Sequence, residues 1–301
     1  MEANHPDRED KKRRLPFFGI FILLFAVLGT SLLYNYHLIQ TVQSQKVEID
    51  ELALQVTDLQ TKEADTQPQY TLDYQNLYPQ MYVPFNGFEE VKAQKTVYLT
   101  FDDGPSNQTQ KILDLLDTYG VKATFFVVGK QDDTSKAMLR EIVKRGHSLG
   151  VHSYSHQYKN IYASVDAYMA DFYQLYSYIT EETGVTPTIF RFPGGSINGY
   201  NASFYQQIIA EMLRRGFVYY DWDVDSKDAT TKATTQTIVH NVLSQCTNKT
   251  HPIILMHDFN NTGKTLNALP TIIESLLKQG YTFEKLDNNI QPVIFAYTQQ
   301  N

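Results

Sequence analysis

Cysteine is nearly absent from this chain. Cys246 stands alone, so no intrachain disulfide can form and the fold must rest on packing. A lone cysteine ordinarily behaves as a small core residue. Tryptophan also occurs once, as Trp222. Basic residues are not in excess: 26 Lys and Arg face 33 Asp and Glu, a net charge of −7, which removes the electrostatic footprint of a nucleic-acid binder. Asp221, Asp223, Asp225 and Asp228 hint at a calcium-type oxygen site, but the glycine and late glutamate of an EF-hand loop are missing. What is abundant is aromatic. The 21 Tyr and 17 Phe suit a core and a sugar-binding surface equally well. At 301 residues and 42% hydrophobic, the chain allows one domain of ordinary size with an appendage.

The appendage is N-terminal. Lys11-Lys12-Arg13-Arg14 precedes an uncharged apolar run from Phe17 to Leu33. A helix over that run would be about 26 Å long, near the lower limit for crossing a bilayer. Leu15, Tyr34 and Tyr36 extend it with residues suited to the interface. The expectation is a cytoplasmic tail at 1–14, a transmembrane anchor at 15–36, and everything beyond on the outer side of the cell membrane. The competing reading is a cleaved signal peptide, with Gly29-Thr30-Ser31 as a weak cleavage site. Residues 37–90 then read as a stalk and linker. Within them a coiled-coil-like segment at 42–60 spaces Ile49, Leu52, Val56 and Leu59 as an a/d seam. That seam could pair two copies into a homodimer, or lie on the chain's own domain.

From Lys95 the pattern alternates strands and helices. Strands are expected at 96–101, 123–128, 148–151, 188–192, 217–222, 252–256 and 281–283. Helices are expected at 108–119, 134–145, 165–182, 203–215, 234–245 and 266–278, with glycines at several exits. About seven β-α units imply an α/β fold with a parallel sheet, open or closed. The residues able to do chemistry follow the carboxyl ends of the strands. Asp102 and Asp103 follow the first, His152 the third, Arg191 the fourth, Asp228 the fifth and His257 the sixth. A site drawing on so many strand ends favours closure into a distorted (β/α) barrel, where those ends meet at one mouth.

His152 and His156, four residues apart, offer two imidazoles, and Asp102-Asp103 offer one carboxylate to ligate and one to spare. That inventory suits a catalytic zinc site with an open position for water and a nearby base. Each piece has a plainer reading. Asp102-Asp103-Gly104-Pro105 is equally a turn, the histidines equally surface residues, and Arg191 equally a structural ion pair.

Taken together, five segments resemble the polysaccharide deacetylases of the NodB-homology type, carbohydrate esterase family 4. They are Thr100-Phe101-Asp102-Asp103-Gly104-Pro105, His152-Ser153-Tyr154-Ser155-His156, Arg191-Phe192-Pro193-Gly194-Gly195, Asp223-Val224-Asp225-Ser226-Lys227-Asp228 and Leu255-Met256-His257. The resemblance runs from about Lys95 to Tyr297, within a catalytic domain expected at 91–301. It implies that Asp103, His152 and His156 hold a divalent metal, zinc first, with cobalt, manganese and nickel as alternatives. It implies that Asp102 is the general base and that His257 is the acid for the leaving amine. Arg191 would orient Asp102, and Asp228 would support Arg191 or His257. Pro193 and Gly194 would furnish an oxyanion amide, and Leu255 the pocket wall beside it.

Two positions depart from the family pattern. Gly194 stands where an aromatic usually follows the proline, and Ala229 stands where the fourth motif usually ends in Trp. Both remove bulk from the expected groove. The leading expectation is hydrolysis of the acetamide of N-acetylglucosamine units in a cell-envelope polysaccharide, peptidoglycan first, with release of acetate. The alternatives are a surface carbohydrate-binding or adhesion protein on the same scaffold, or a deacetylase of chitin oligomers, poly-N-acetylglucosamine or acetylxylan.

Overall fold

The computed structural model describes residues 17–66, 72–91, 93–259 and 263–295. The chain divides into two units, Met1–Tyr70 and Thr71–Asn301. In the first, a single helix α1 runs from Phe17 to Thr66. No proline interrupts that stretch, so the helix runs on without a break through residues 36 and 37.

Among the described residues, no helix is long and apolar enough to cross a membrane. Of the transmembrane helix expected at 15–36, residues 15 and 16 and the side chains of 17–26 lie outside the described residues, so that absence concerns its second half alone. Beyond Leu33 the helix turns polar, with Asn35, His37 and Gln40, which hydrocarbon would penalise. The side chains of 17–26, and all of 1–16, lie outside the described residues. Ile49, Leu52 and Val56 of the expected seam are exposed, and the side chain of Leu59 lies outside the described set.

The second unit is an α/β fold whose eight strands are all parallel. They are β1 (Thr96–Asp102), β2 (Thr124–Val128), β3 (Ser148–Ser153), β4 (Ile189–Phe190), β5 (Val218–Tyr219), β6 (Val224–Asp225), β7 (Ile253–His257) and β8 (Thr282–Glu284). The order across the sheet is β5-β4-β3-β2-β1-β7-β6, with β8 paired to the first half of β1. The sheet curls as a (β/α) barrel does, but the path leaves β5 and β6 as its ends. The C-terminal stretch packs against the β5 end: Asp221 N–H donates to Val293 O, and the Tyr220 hydroxyl donates to Asp287 O and Ile290 O. The helices are α2 (Thr109–Tyr119), α3 (Asp133–Lys144), α4 (Tyr158–Ile161), α5 (Val165–Thr183), α6 (Tyr205–Arg214), α7 (Thr235–Cys246) and α8 (Lys264–Lys278).

Alternation along β1 explains how the site is built. Val97, Leu99 and Phe101 face outward into the main core with Ile112, Leu116 and Ile272. Tyr98 faces inward with Phe126, Val218, Tyr220 and Ile253. Thr100 and Asp102 share the face of Tyr98, so Asp102 enters the barrel from the last residue of the strand. Helix ends follow ordinary capping chemistry. Asp132 accepts from Ser135 N–H at the start of α3, Ser164 from Ala167 N–H at α5, and Gly184 closes α5 in the left-handed region.

The stretch before β1, expected as linker, is packed onto the unit from Leu72 onward. Arg215 is fully buried. Its guanidinium donates to Tyr78 O, Leu77 O and the Glu211 carboxylate, and Val83 N–H donates to Arg215 O. Gly216, at φ +87°, lies so close that a Cβ there would collide with the Val83 carbonyl oxygen.

Candidate active site

The carboxyl end of β1 delivers two consecutive aspartates to different environments. Asp102 is buried at the strand's last residue, and Asp103 follows with φ +73°. A positive φ is uncommon outside glycine, and Asp tolerates it better than most residues. The turn is held from behind, because Lys130 Nζ donates to Asp103 O at 2.9 Å and to Pro105 O at 2.6 Å. Its Gly104–Pro105 peptide is cis.

His152 sits in β3 and is buried. Its Nδ1–H donates to Arg191 O at 2.8 Å, which leaves Nε2 as the free lone pair. His156 is reached through a loop with φ +53° at the histidine itself. That loop is clamped by Asp171 of α5, which sequence reasoning missed. One Asp171 carboxylate accepts from the Ser153 hydroxyl, Tyr154 N–H and Ser155 N–H at 2.7–2.9 Å. Asp103 Oδ1 then lies 3.5 Å from His152 Nε2 and 3.2 Å from His156 Nε2.

This cluster fits a divalent cation. One carboxylate oxygen and two imidazole nitrogens lie within 4.8 Å of one another. A tetrahedral ion with bonds of about 2.0–2.2 Å sets its ligands roughly 3.3–3.6 Å apart. Asp103 Oδ1 is buried and accepts no hydrogen bond among the described residues, so its lone pairs are uncommitted. Burial, reinforced by the neighbouring His152, holds the His156 imidazole below the usual histidine range, which favours the neutral, ligating form.

Asp102 faces Arg191. The guanidinium Nη1 donates to Asp102 Oδ1 at 2.9 Å and to Thr100 Oγ1 at 2.6 Å, Nε donates to Tyr220 O, and Nη2 donates to Asp221 O. The Phe126 ring lies 4.3 Å from the guanidinium carbon. Arg191 is completely buried, and this set of partners is what makes its burial tolerable. The other Asp102 oxygen, Oδ2, is 4.0 Å from His152 Nε2.

His257 ends β7 and is the ladder neighbour of Asp102 on β1. Its Nδ1–H donates to Asp228 Oδ1 at 2.7 Å, and its backbone N–H donates to Asp228 Oδ2 at 2.9 Å. The Thr265 hydroxyl also donates to Oδ2. Burial alone would lower the pKa of His257. The hydrogen bond and charge of Asp228 outweigh it and raise the pKa to about 9. Asp228 moves in the complementary direction: its burial works upward, but the bond to His257 wins and holds it below the usual carboxylate range. Of the two partners expected for Asp228, the structure therefore gives His257. Arg191 takes the backbone carbonyl of Asp221 instead.

Leu255, two residues before His257, shares its face of β7 and pairs with Thr100. Pro193 is buried, and its carbonyl accepts from the Tyr162 hydroxyl at 2.9 Å. Gly194 is exposed at φ +78°. The residues singled out from the sequence thus lie within the carboxyl-terminal part of β1, β3 and β7 or just past the ends of β1, β3, β4 and β6.

The family described as Polysaccharide deacetylase matches residues 89–213. A peptidoglycan-N-acetylglucosamine deacetylase of Bacillus cereus is 32% identical over 205 residues, covering 66% of this chain and 71% of its own. The chain belongs to the polysaccharide deacetylases. YheN of Bacillus subtilis is 34% identical over 229 residues, covering 74% of this chain and 78% of its own. The solved catalytic domain of peptidoglycan N-acetylglucosamine deacetylase from Eubacterium rectale superposes with a TM-score of 0.67 at 37% identity. That match covers 71% of this chain and 98% of the other. As a polysaccharide deacetylase, this chain is a hydrolase.

Proposed function

We propose that this protein removes the acetyl group from N-acetylglucosamine units of peptidoglycan, yielding acetate and a free amine on the sugar. Asp103, His152 and His156 would hold a divalent cation, zinc by preference for a site of two imidazoles and a carboxylate. When bound, that ion supplies Lewis acidity toward the acetyl carbonyl and makes water a stronger nucleophile near neutral pH.

The protein's own residues do the rest. Asp102, oriented by Arg191, takes the proton from the attacking water. The Gly194 N–H donates to the oxygen of the tetrahedral intermediate. His257 enters protonated, kept so by Asp228, and gives its Nε2 proton to the departing nitrogen, which is a poor leaving group without it. Leu255 and the buried Pro193 would line the pocket that receives the acetyl group.

One observation carries this reading. A buried aspartate paired to arginine and a histidine paired to aspartate are ladder neighbours, beside a three-donor cluster with an uncommitted oxygen. Binding alone has no use for the His257–Asp228 pair. The peptidoglycan substrate is supported by the names of the relatives reported above, and acting on it would require the catalytic unit to be outside the cell.

The test is release of acetate from purified peptidoglycan and from chitin oligomers by the zinc-loaded protein. Acetate from peptidoglycan, with matching loss of one acetyl group per modified sugar by mass spectrometry, is the expected result. Glycan binding without acetate would defeat the enzymatic reading, and turnover of chitin oligomers alone would defeat the substrate.

A further inference from the structure

Gly194 places an N–H at the mouth without any side chain to wall it, yet the space beside it is filled. A Cβ on Gly194 would come within 2.9 Å of Tyr158 Cε1 and 3.3 Å of the Tyr158 hydroxyl oxygen. The same tyrosine presents itself edge-on to His156, with ring centroids 5.4 Å apart at 87°. One ring therefore spans the distance from the oxyanion amide to a member of the donor cluster.

The ring is held from two sides. Tyr162 packs against it edgewise at 6.1 Å and is itself tied to Pro193 O through its hydroxyl. Tyr200 packs against it at 5.2 Å and is exposed, carrying the aromatic surface outward. Tyr158 is the first residue of α4, whose opening turn is fixed by Asn160 and Ile161 N–H donating to Gln157 O. Tyr158 is neither in the core nor fully exposed. Its position is thus set by backbone geometry and neighbouring rings, while part of it stays open to the mouth.

We propose that the Tyr158 ring is a specificity-determining contact for the sugar bearing the acetamido group, its face and edge packing against the acetyl methyl and the C–H face of the pyranose. The inference rests on the deacetylase reading above. Aromatic rings present a large, rigid apolar surface at little entropic cost, which is how carbohydrate C–H faces are gripped. In this chain the ring also makes Gly194 necessary. Any side chain at 194 would meet the tyrosine, and φ +78° already disfavours one.

The experiment measures kcat, KM and zinc affinity for the zinc-loaded full-length protein and its Tyr158→Phe, Tyr158→Ala and Tyr158→Leu variants on an N-acetylglucosamine oligomer. The ring contact predicts that Phe stays within about twofold of the parent. Ala and Leu should raise KM on the order of tenfold with zinc affinity unchanged. An unchanged KM in both Ala and Leu overturns the proposal. So does a loss that tracks weakened zinc binding, which would reduce Tyr158 to a prop for His156. A Phe variant as poor as Ala also overturns it, since the hydroxyl and not the ring would then be the contact. If the parent itself releases no acetate, the deacetylase reading is at fault. Calorimetric binding of the same oligomer to parent and Tyr158→Ala then decides the ring contact by itself.

Discussion

Asp102 and Asp103 are adjacent in sequence, yet the backbone gives them separate tasks. Asp102 ends an extended strand, points into the barrel and meets a fixed guanidinium. Asp103 takes a left-handed turn and offers a bare oxygen to two imidazoles. Asp102→Asn keeps the size and loses the basicity, so kcat should fall by about 10²–10⁴-fold. Zinc affinity, set by the other three residues, should stay close to that of the parent. Activity within tenfold of the parent would mean that the base is elsewhere. His257 makes a second prediction. In the metal-free protein its imidazole should titrate near pH 9 by NMR, and Asp228→Asn should bring it down toward the ordinary 6.5. The sign follows from linkage. A folded-state pKa above the unfolded one contributes stability that is complete below about pH 6.5 and is lost as pH rises through about 9. Asp228→Asn should therefore narrow the difference in stability between pH 6 and pH 10, measured by urea denaturation at both.

At the scale of elements, the donor cluster depends on a loop and a helix more than on its own residues. The segment from Ser153 to Ser155 hangs on Asp171, in α5, and His156, at φ +53°, is tied to it by its N–H donating to the Ser153 hydroxyl. Asp171→Ala should weaken zinc binding by about 10–100-fold while leaving the helix folded, a readout for competition with a chromogenic chelator and circular dichroism. Unaltered affinity would show that the loop keeps its shape unaided. Asp171 also marks what the sequence makes legible. The major strands and helices announce themselves through alternation and helical period, and every cluster at a strand end was readable as such. Asp171 announces nothing, since one acidic residue in an amphipathic helix ordinarily faces solvent. β6 was unreadable for a related reason. Two residues, Val224 and Asp225, form a strand only because β7 lies alongside, inside a run of acids that reads as a loop. The packing of residues 72–91 has no periodic signature either. It is secured largely by backbone carbonyls that Arg215 gathers, and carbonyls are invisible in a sequence. Gly194 signals only lost bulk in the sequence, because the Tyr158 ring that fills the space comes from another segment.

For the whole molecule, the uncommitted oxygen of Asp103 ties metal binding to stability. The folded chain assembles three donors from two strand ends and a loop, and the unfolded chain has no such arrangement. A cation that binds only the folded form stabilises it by about 2.7 kcal/mol at a hundredfold excess over its dissociation constant. For a unit of this size each kcal/mol moves the midpoint by about 2–4 °C, so zinc should raise Tm by roughly 5–10 °C, reversibly on chelation. The control must respect the backbone. Ala at position 103 would mix ligand loss with the strain of φ +73°, whereas Asn tolerates the left-handed region and is a poor metal ligand. Asp103→Asn should therefore unfold near the temperature of the metal-free parent and gain almost nothing from zinc. The same shift in parent and variant, measured by scanning calorimetry, would place the stabilising ion elsewhere and detach Asp103 from it.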